Sequence, residues 1–96
     1  MNMKYIKRVF ESDEPSNSWK VTNDRFLSRK FKFNNFLEAL GFVNDVARIS
    51  EEVDHHPDIY WNYNKVTIEI KTYDIDKITD KDYDLAQRID ELEITN

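Results

Sequence analysis

The sequence predicts an α+β fold: a two-layer sandwich with two long helices on one face of a four-stranded antiparallel sheet, in the order β-β-α-β-β-α. Three observations carry this. Two stretches place apolar residues at helical spacing, over residues 36–53 and from 79 onward. Short alternating stretches joined by tight-turn residues come in two pairs, one before each helix. A length of 96 residues allows one domain with a single modest core, so residues 1–96 are taken as one unit.

The elements follow in order. Residues 1–18 form an N-terminal arm and loop: Lys4–Phe10 alternates weakly, and residues 11–18 are rich in turn formers around Pro15. Trp19–Thr22 and Arg25–Phe33 are two strands joined at Asn23-Asp24, with Leu27, Phe31 and Phe33 on one face and Lys30 and Lys32 on the other. Asn35 caps the first helix, and Glu38, three residues on, completes a capping pair. Phe36, Leu40, Val43, Ala47 and Val53 recur along it, Ala39, Val46 and Ser50 fill the stripe, and Phe42 and Ile49 broaden it. Gly41 inside the helix suggests close packing against the sheet. Pro57 disfavours helical geometry at His56, so the helix ends near Asp54. Tyr60–Tyr63 is a short strand, Asn64-Lys65 its turn, and Val66–Thr72 a strand with Val66, Ile68 and Ile70 inward. Thr79 caps the last helix with Asp82 as its partner, Ile78 stapling onto Tyr83, and Leu85, Ile89 and Leu92 forming the apolar stripe.

Composition narrows the chemistry. There is no cysteine, which removes disulfides, thiolate metal sites and a cysteine nucleophile. One glycine leaves no glycine-rich phosphate loop. No apolar run spans a bilayer and no secretory leader is visible, so a cytoplasmic protein without a membrane partner is expected. Residues 1–33 carry eight Lys/Arg against four Asp/Glu, and the rest six against fifteen. On a chain of net charge −5 this excess is too small to read as a nucleic-acid surface, and it suits attraction between halves or subunits better.

The concentrated chemical signal is residues 51–57, Glu-Glu-Val-Asp-His-His-Pro. Histidines at a helix end followed by proline have a plain structural reading, as dipole partners and stop signal. A shared metal is disfavoured, because adjacent helical residues point about 100° apart and no third histidine or cysteine exists to complete a set.

The string Glu51-x-x-x-His55-His56-Pro57-Asp58, with Tyr63-Asn64-Lys65-Val66, Thr72, and Ile78-Thr79-x-x-Asp82-x-x-Leu85-Ala86, resembles the pterin-4a-carbinolamine dehydratases. Arg29-x-Phe31-x-Phe33-x-x-Phe36-x-x-Ala39-x-x-Phe42 and Trp19 fit the same family, so the resemblance runs from Trp19 to Leu92. It implies a hydro-lyase, needing no metal and no organic cofactor, that eliminates water from 4a-hydroxytetrahydropterin to give quinonoid dihydropterin by histidine acid–base catalysis. His55 would transfer protons, His56 would share that work or hold the pterin, and Glu51, one turn earlier, would orient His55. Asp82, Tyr73, Pro57 and Tyr63 would line the substrate pocket. The family's third histidine stands here as Tyr73, a weak base at pH 7 that would reduce activity. Its Gly-Gly before the last helix is replaced by Asp76-Lys77, and its N-terminal helix is not evident. The resemblance also implies a homodimer or homotetramer. The alternative function it leaves open is a weakened dehydratase serving as a pterin-binding or protein-assembly module.

Overall fold

The structure is a computed structural model that describes residues 18–23 and 25–93. The arm of residues 1–17 and Asp24 of the first turn lie outside the described residues. Six elements follow in the expected order: β1 Lys20–Thr22, β2 Phe26–Lys32, α1 Phe36–Val53, β3 Asp58–Asn62, β4 Lys65–Ile70 and α2 Asp80–Glu93. The strands form one antiparallel sheet in the order β1-β2-β4-β3. The chain leaves β2 through α1, returns at the far edge as β3, and fills the remaining gap with β4.

Strand periodicity sets the core. Leu27, Arg29 and Phe31 of β2 and Val66, Ile68 and Ile70 of β4 all point to the helices and are buried, as is Phe33 just beyond β2. Phe31, Phe33 and Phe42 form an aromatic cluster with ring centroids 4.6–6.5 Å apart. α2 adds Leu85, Ala86, Ile89 and Leu92. Arg29 is 4% exposed, although it was read only as part of a motif. Its guanidinium donates to Asp90 Oδ1 at 2.5 Å, an oxygen that also accepts from Trp19 Nε1 at 2.8 Å, so one carboxylate of α2 ties down two groups at the sheet.

α1 starts at the expected cap. Asn35 Oδ1 accepts from the Glu38 amide at 2.9 Å, while Glu38 Oε1 accepts from the amide of Asn34, closing the box one residue upstream of the cap. Its buried face is rotated from the expected stripe. Ala39, Phe42, Val46, Ile49 and Ser50 are buried, whereas Phe36 and Ala47 are exposed and Leu40, Gly41 and Val43 only half-buried. Ala39 is fully buried and Gly41 half-buried. The sequence stripe drifted because both flanks of this helix are apolar, and only packing selects between them.

Three ends also differ. β3 begins at Asp58, and its turn is Tyr63-Asn64, one residue earlier than expected. Asn64 causes this: its side-chain amide donates to Phe33 O, its carbonyl accepts from Phe33 N, both at 2.8 Å, and Lys65 is then free to enter β4. Tyr63 takes φ 54 to make the corner. β4 ends at Ile70, and Thr72 continues only as a single bridge to Lys77. At the last helix Ile78 packs on the core, while Tyr83 is exposed.

Candidate active site

The site forms where the C-terminus of α1 meets the N-terminus of α2. α1 stops because Asp54 adopts a left-handed conformation, φ 55 and ψ 44, with the Asp54 amide bonded to Glu51 O and the His55 amide to Ser50 O at 3.1 Å. This is the paired closure of a Schellman turn, made here by aspartate instead of glycine. The reversal sends the two adjacent histidines to different partners. His55 turns inward, 13% exposed, with Nε2 2.6 Å from Asp82 Oδ1. His56 turns outward, 54% exposed, with Nε2 2.5 Å from Glu51 Oε2.

Asp82 is fully buried and fully engaged. Beyond His55, its Oδ2 accepts from the Thr79 amide at 2.7 Å and from the Thr72 hydroxyl at 2.9 Å. The Thr72 and Thr79 hydroxyls also pair at 2.7 Å. Asp82 is thus half of the capping box of α2 and the partner of His55 at once. The expectation that Glu51 would orient His55 is corrected: Glu51 meets His56, and the helix end rotates His55 away to Asp82.

His55, His56, Asp54, Thr72, Tyr73, Asp74 and Lys81 line a cavity of about 370 Å³. Tyr73 is more than half exposed and donates its hydroxyl to Asp58 Oδ2 at 2.5 Å. That hydrogen bond, with desolvation and the Asp58 charge behind it, pushes the phenol up to about 12. Tyr60 is likewise raised, by the charges of Glu69 and Asp58. Pro57 joins His56 to β3, half-buried. Tyr63 is not brought to this site. It lies at the other end of β3, its ring 6.4 Å from Phe36 at the start of α1, and α1 is roughly 27 Å long.

A cavity of about 490 Å³ opens elsewhere, lined by Lys30, Phe31, Ile59, Tyr60, Trp61, Asn62, Lys65 and Thr67. Its lining holds no histidine or carboxylate, whereas the smaller cavity is lined by both. Among the described residues, no three His, Asp or Glu side chains converge to hold a metal ion. No helix of the described residues is long and apolar enough to cross a membrane. Thr72 and Lys81 line the cavity and Asp58 stands behind Tyr73, roles that sequence reasoning did not assign; Asp58 and Thr72 stood in the motif string, and Lys81 had no signal.

A buried carboxylate on one imidazole and a second carboxylate on its neighbour thus stand beside one cavity on a two-layer α+β scaffold. The family model described as pterin 4 alpha carbinolamine dehydratase matches residues 2–92, and the chain belongs to that family. A provisionally named pterin-4-alpha-carbinolamine dehydratase from Picosynechococcus sp. is 49% identical over 69 residues, covering 72% of this chain and 75% of its own length. One of the same provisional name from Alkaliphilus metalliredigens is 38% identical, covering 91% and 73%. The crystal structure of a transcriptional coactivator/pterin dehydratase from Brucella melitensis superposes with a TM-score of 0.75 at 29% identity, covering 80% of this chain and 83% of that one. A pterin dehydratase-like protein identified as a RuBisCO assembly factor in the alpha-carboxysome shares the fold, with a TM-score of 0.71 at 23% identity over 83% of this chain and 94% of that one.

Proposed function

We propose that the protein is a pterin-4a-carbinolamine dehydratase, a hydro-lyase acting on 4a-hydroxytetrahydropterin. The observation that carries this reading is the placement of two imidazoles on separate carboxylates beside one cavity. In a neutral ring whose Nε2–H is given to a carboxylate, the lone pair resides on Nδ1, which is then the proton-accepting position. Dehydration needs the N5 proton removed and the departing 4a-hydroxyl protonated, so that water leaves and the C4a–N5 double bond forms. His55, backed by Asp82, is the proton-transfer group; His56, backed by Glu51, shares the transfer or holds the pterin. Tyr73 and Pro57 bound the substrate. Tyr63, at the far end of β3, has no part in this chain's site.

The test is a coupled assay on 4a-hydroxytetrahydropterin. The wild-type chain should accelerate dehydration over the spontaneous rate, and His55→Ala should remove about 10²–10⁴ of that acceleration. A wild-type rate equal to the spontaneous one ends this reading.

A second reading, assembly rather than turnover, has its own support. Phe36, Leu37 and Tyr63 are exposed at the end of α1 far from the cavity, with Phe36 stacked 4.7 Å from Trp61. The alpha-carboxysome relative assembles RuBisCO, and such an apolar surface suits contact with another chain, including copies of this one as a homodimer or homotetramer. A complex that survives His55→Ala but is lost in Phe36→Glu would favour this reading.

A further inference from the structure

The loop that carries Tyr73 is built around an isolated bridge. The Thr72 amide donates to Lys77 O at 3.1 Å and the Ile75 amide to Thr72 O at 3.3 Å. Asp76 adopts φ 52 there, a left-handed corner where the family pattern would offer glycine. Its carboxylate lies 3.5 Å from Lys71 Nζ and 3.8 Å from Arg25 Nε. These contacts fix the backbone of the loop but not the Tyr73 ring. The ring is held by two further groups. Lys71 Nζ sits 4.7 Å above its centroid, and Asp58, first residue of β3, accepts its hydroxyl.

We propose that Asp58 is a positioning residue that holds the Tyr73 ring as a fixed wall of the His55–His56 cavity, so that position 73 binds ligand and does not transfer protons. Three observations converge. The hydroxyl proton is already committed to a carboxylate that does not line the cavity, while the Tyr73 ring does. The groups around the hydroxyl, Asp58, Tyr60 and Glu69, all oppose its ionisation, and Lys71 faces the ring instead. A phenol so held cannot serve as a base near neutral pH. Asp58 follows directly on His55-His56-Pro57, so the segment that aims the imidazoles also fixes the wall opposite them.

The ligand named here rests on the dehydratase reading; the clamp itself does not, and the experiment separates them. Tyrosinate absorbance at pH 11, taken as the difference from Tyr73→Phe, reports Tyr73 alone. In the wild type about a tenth of Tyr73 should be ionised, since its pKa is raised to about 12, and in Asp58→Ala most of it. Tyr73 already mostly ionised at pH 11 with Asp58 present overturns the clamp. In the coupled assay, Asp58→Ala and Tyr73→Phe should each raise KM about three- to tenfold, the scale of freezing one loose side chain, with kcat little changed. The double variant should be no worse than the poorer single one, and Asp58→Asn, which keeps an acceptor oxygen, should recover most of the loss. A Tyr73→Phe chain that loses kcat at unchanged KM makes Tyr73 a proton donor and refutes the proposal. So does an Asp58→Ala chain with wild-type KM. If the wild type neither turns over substrate nor binds a dihydropterin by calorimetry, the dehydratase reading and the wall function fall together, and the absorbance result stands apart from both.

Discussion

Replacing Asp82 tests whether the site and the fold share one carboxylate. Asp82→Ala removes the bond from the Thr79 amide, a helix cap of about 1 kcal/mol. It also removes the pairing with His55, a hydrogen bond to a charged group of about 1.5–3 kcal/mol. The Thr72 hydroxyl keeps Thr79 as a partner and adds little. The sum is about 2.5–4 kcal/mol, a large share of the roughly 5–14 kcal/mol expected for a domain of this length. Asp82→Asn keeps an oxygen for Thr79 and Thr72 and loses only the charge facing His55, so about 1–2 kcal/mol is expected. Urea unfolding followed by tryptophan fluorescence reads this directly, because a slope of about 1 kcal/mol/M converts those costs into midpoint shifts of about 2.5–4 M and about 1–2 M. A double-mutant cycle with His55→Ala should recover about 1–2 kcal/mol of coupling. An alanine variant that loses less than about 1 kcal/mol would show that the buried carboxylate supports neither the helix start nor His55. Equal costs for asparagine and alanine would show that the threonine contacts contribute nothing.

Other outcomes follow from the same geometry. Tyr73→His restores an imidazole beside the cavity, and single-turnover kinetics should show kcat rising by about 10-fold or more; no gain would mean that the wall position cannot reach the reacting atoms. Because the folded-state pKa of Tyr73 is raised from about 10 to about 12, its contribution to stability is complete below pH 10 and is lost as pH climbs toward 12. The group is more than half exposed, so solvent screens the effect, and urea midpoints at pH 9 and 11 should show a small decline that Tyr73→Phe removes. Asn35→Ala should cost about 1 kcal/mol by chemical denaturation, with dehydratase activity intact, since the cap lies at the other end of α1 from the cavity.

The architecture was legible because local and global signals agree. Alternation in Val66–Ile70, the Asn35 cap and the Pro57 stop each named an element that is present. Asp82 was legible as the capping partner of Thr79, whereas its place behind His55, outside the cavity lining, was not. What was not legible depended on rotation about a backbone bond. Asp54 in the left-handed region sends the two histidines to different carboxylates, and a straight helical count through His55 could not show that. The inward Arg29 was hidden for a related reason: its partner Asp90 is 61 residues away. Tyr63 followed the motif in sequence, yet a hairpin turn places it at the opposite end of β3.

The two carboxylates at the site stand in different relation to the rest of the protein. Asp82 is shared between the start of α2 and His55, whereas the Glu51–His56 pair is exposed and supports no element. A descendant would still need Asp82 to hold the start of α2, but could change Glu51 and His56 with little penalty to the fold. Among related chains, an intact Asp82 therefore reports a preserved fold, and the exposed pair carries no such constraint.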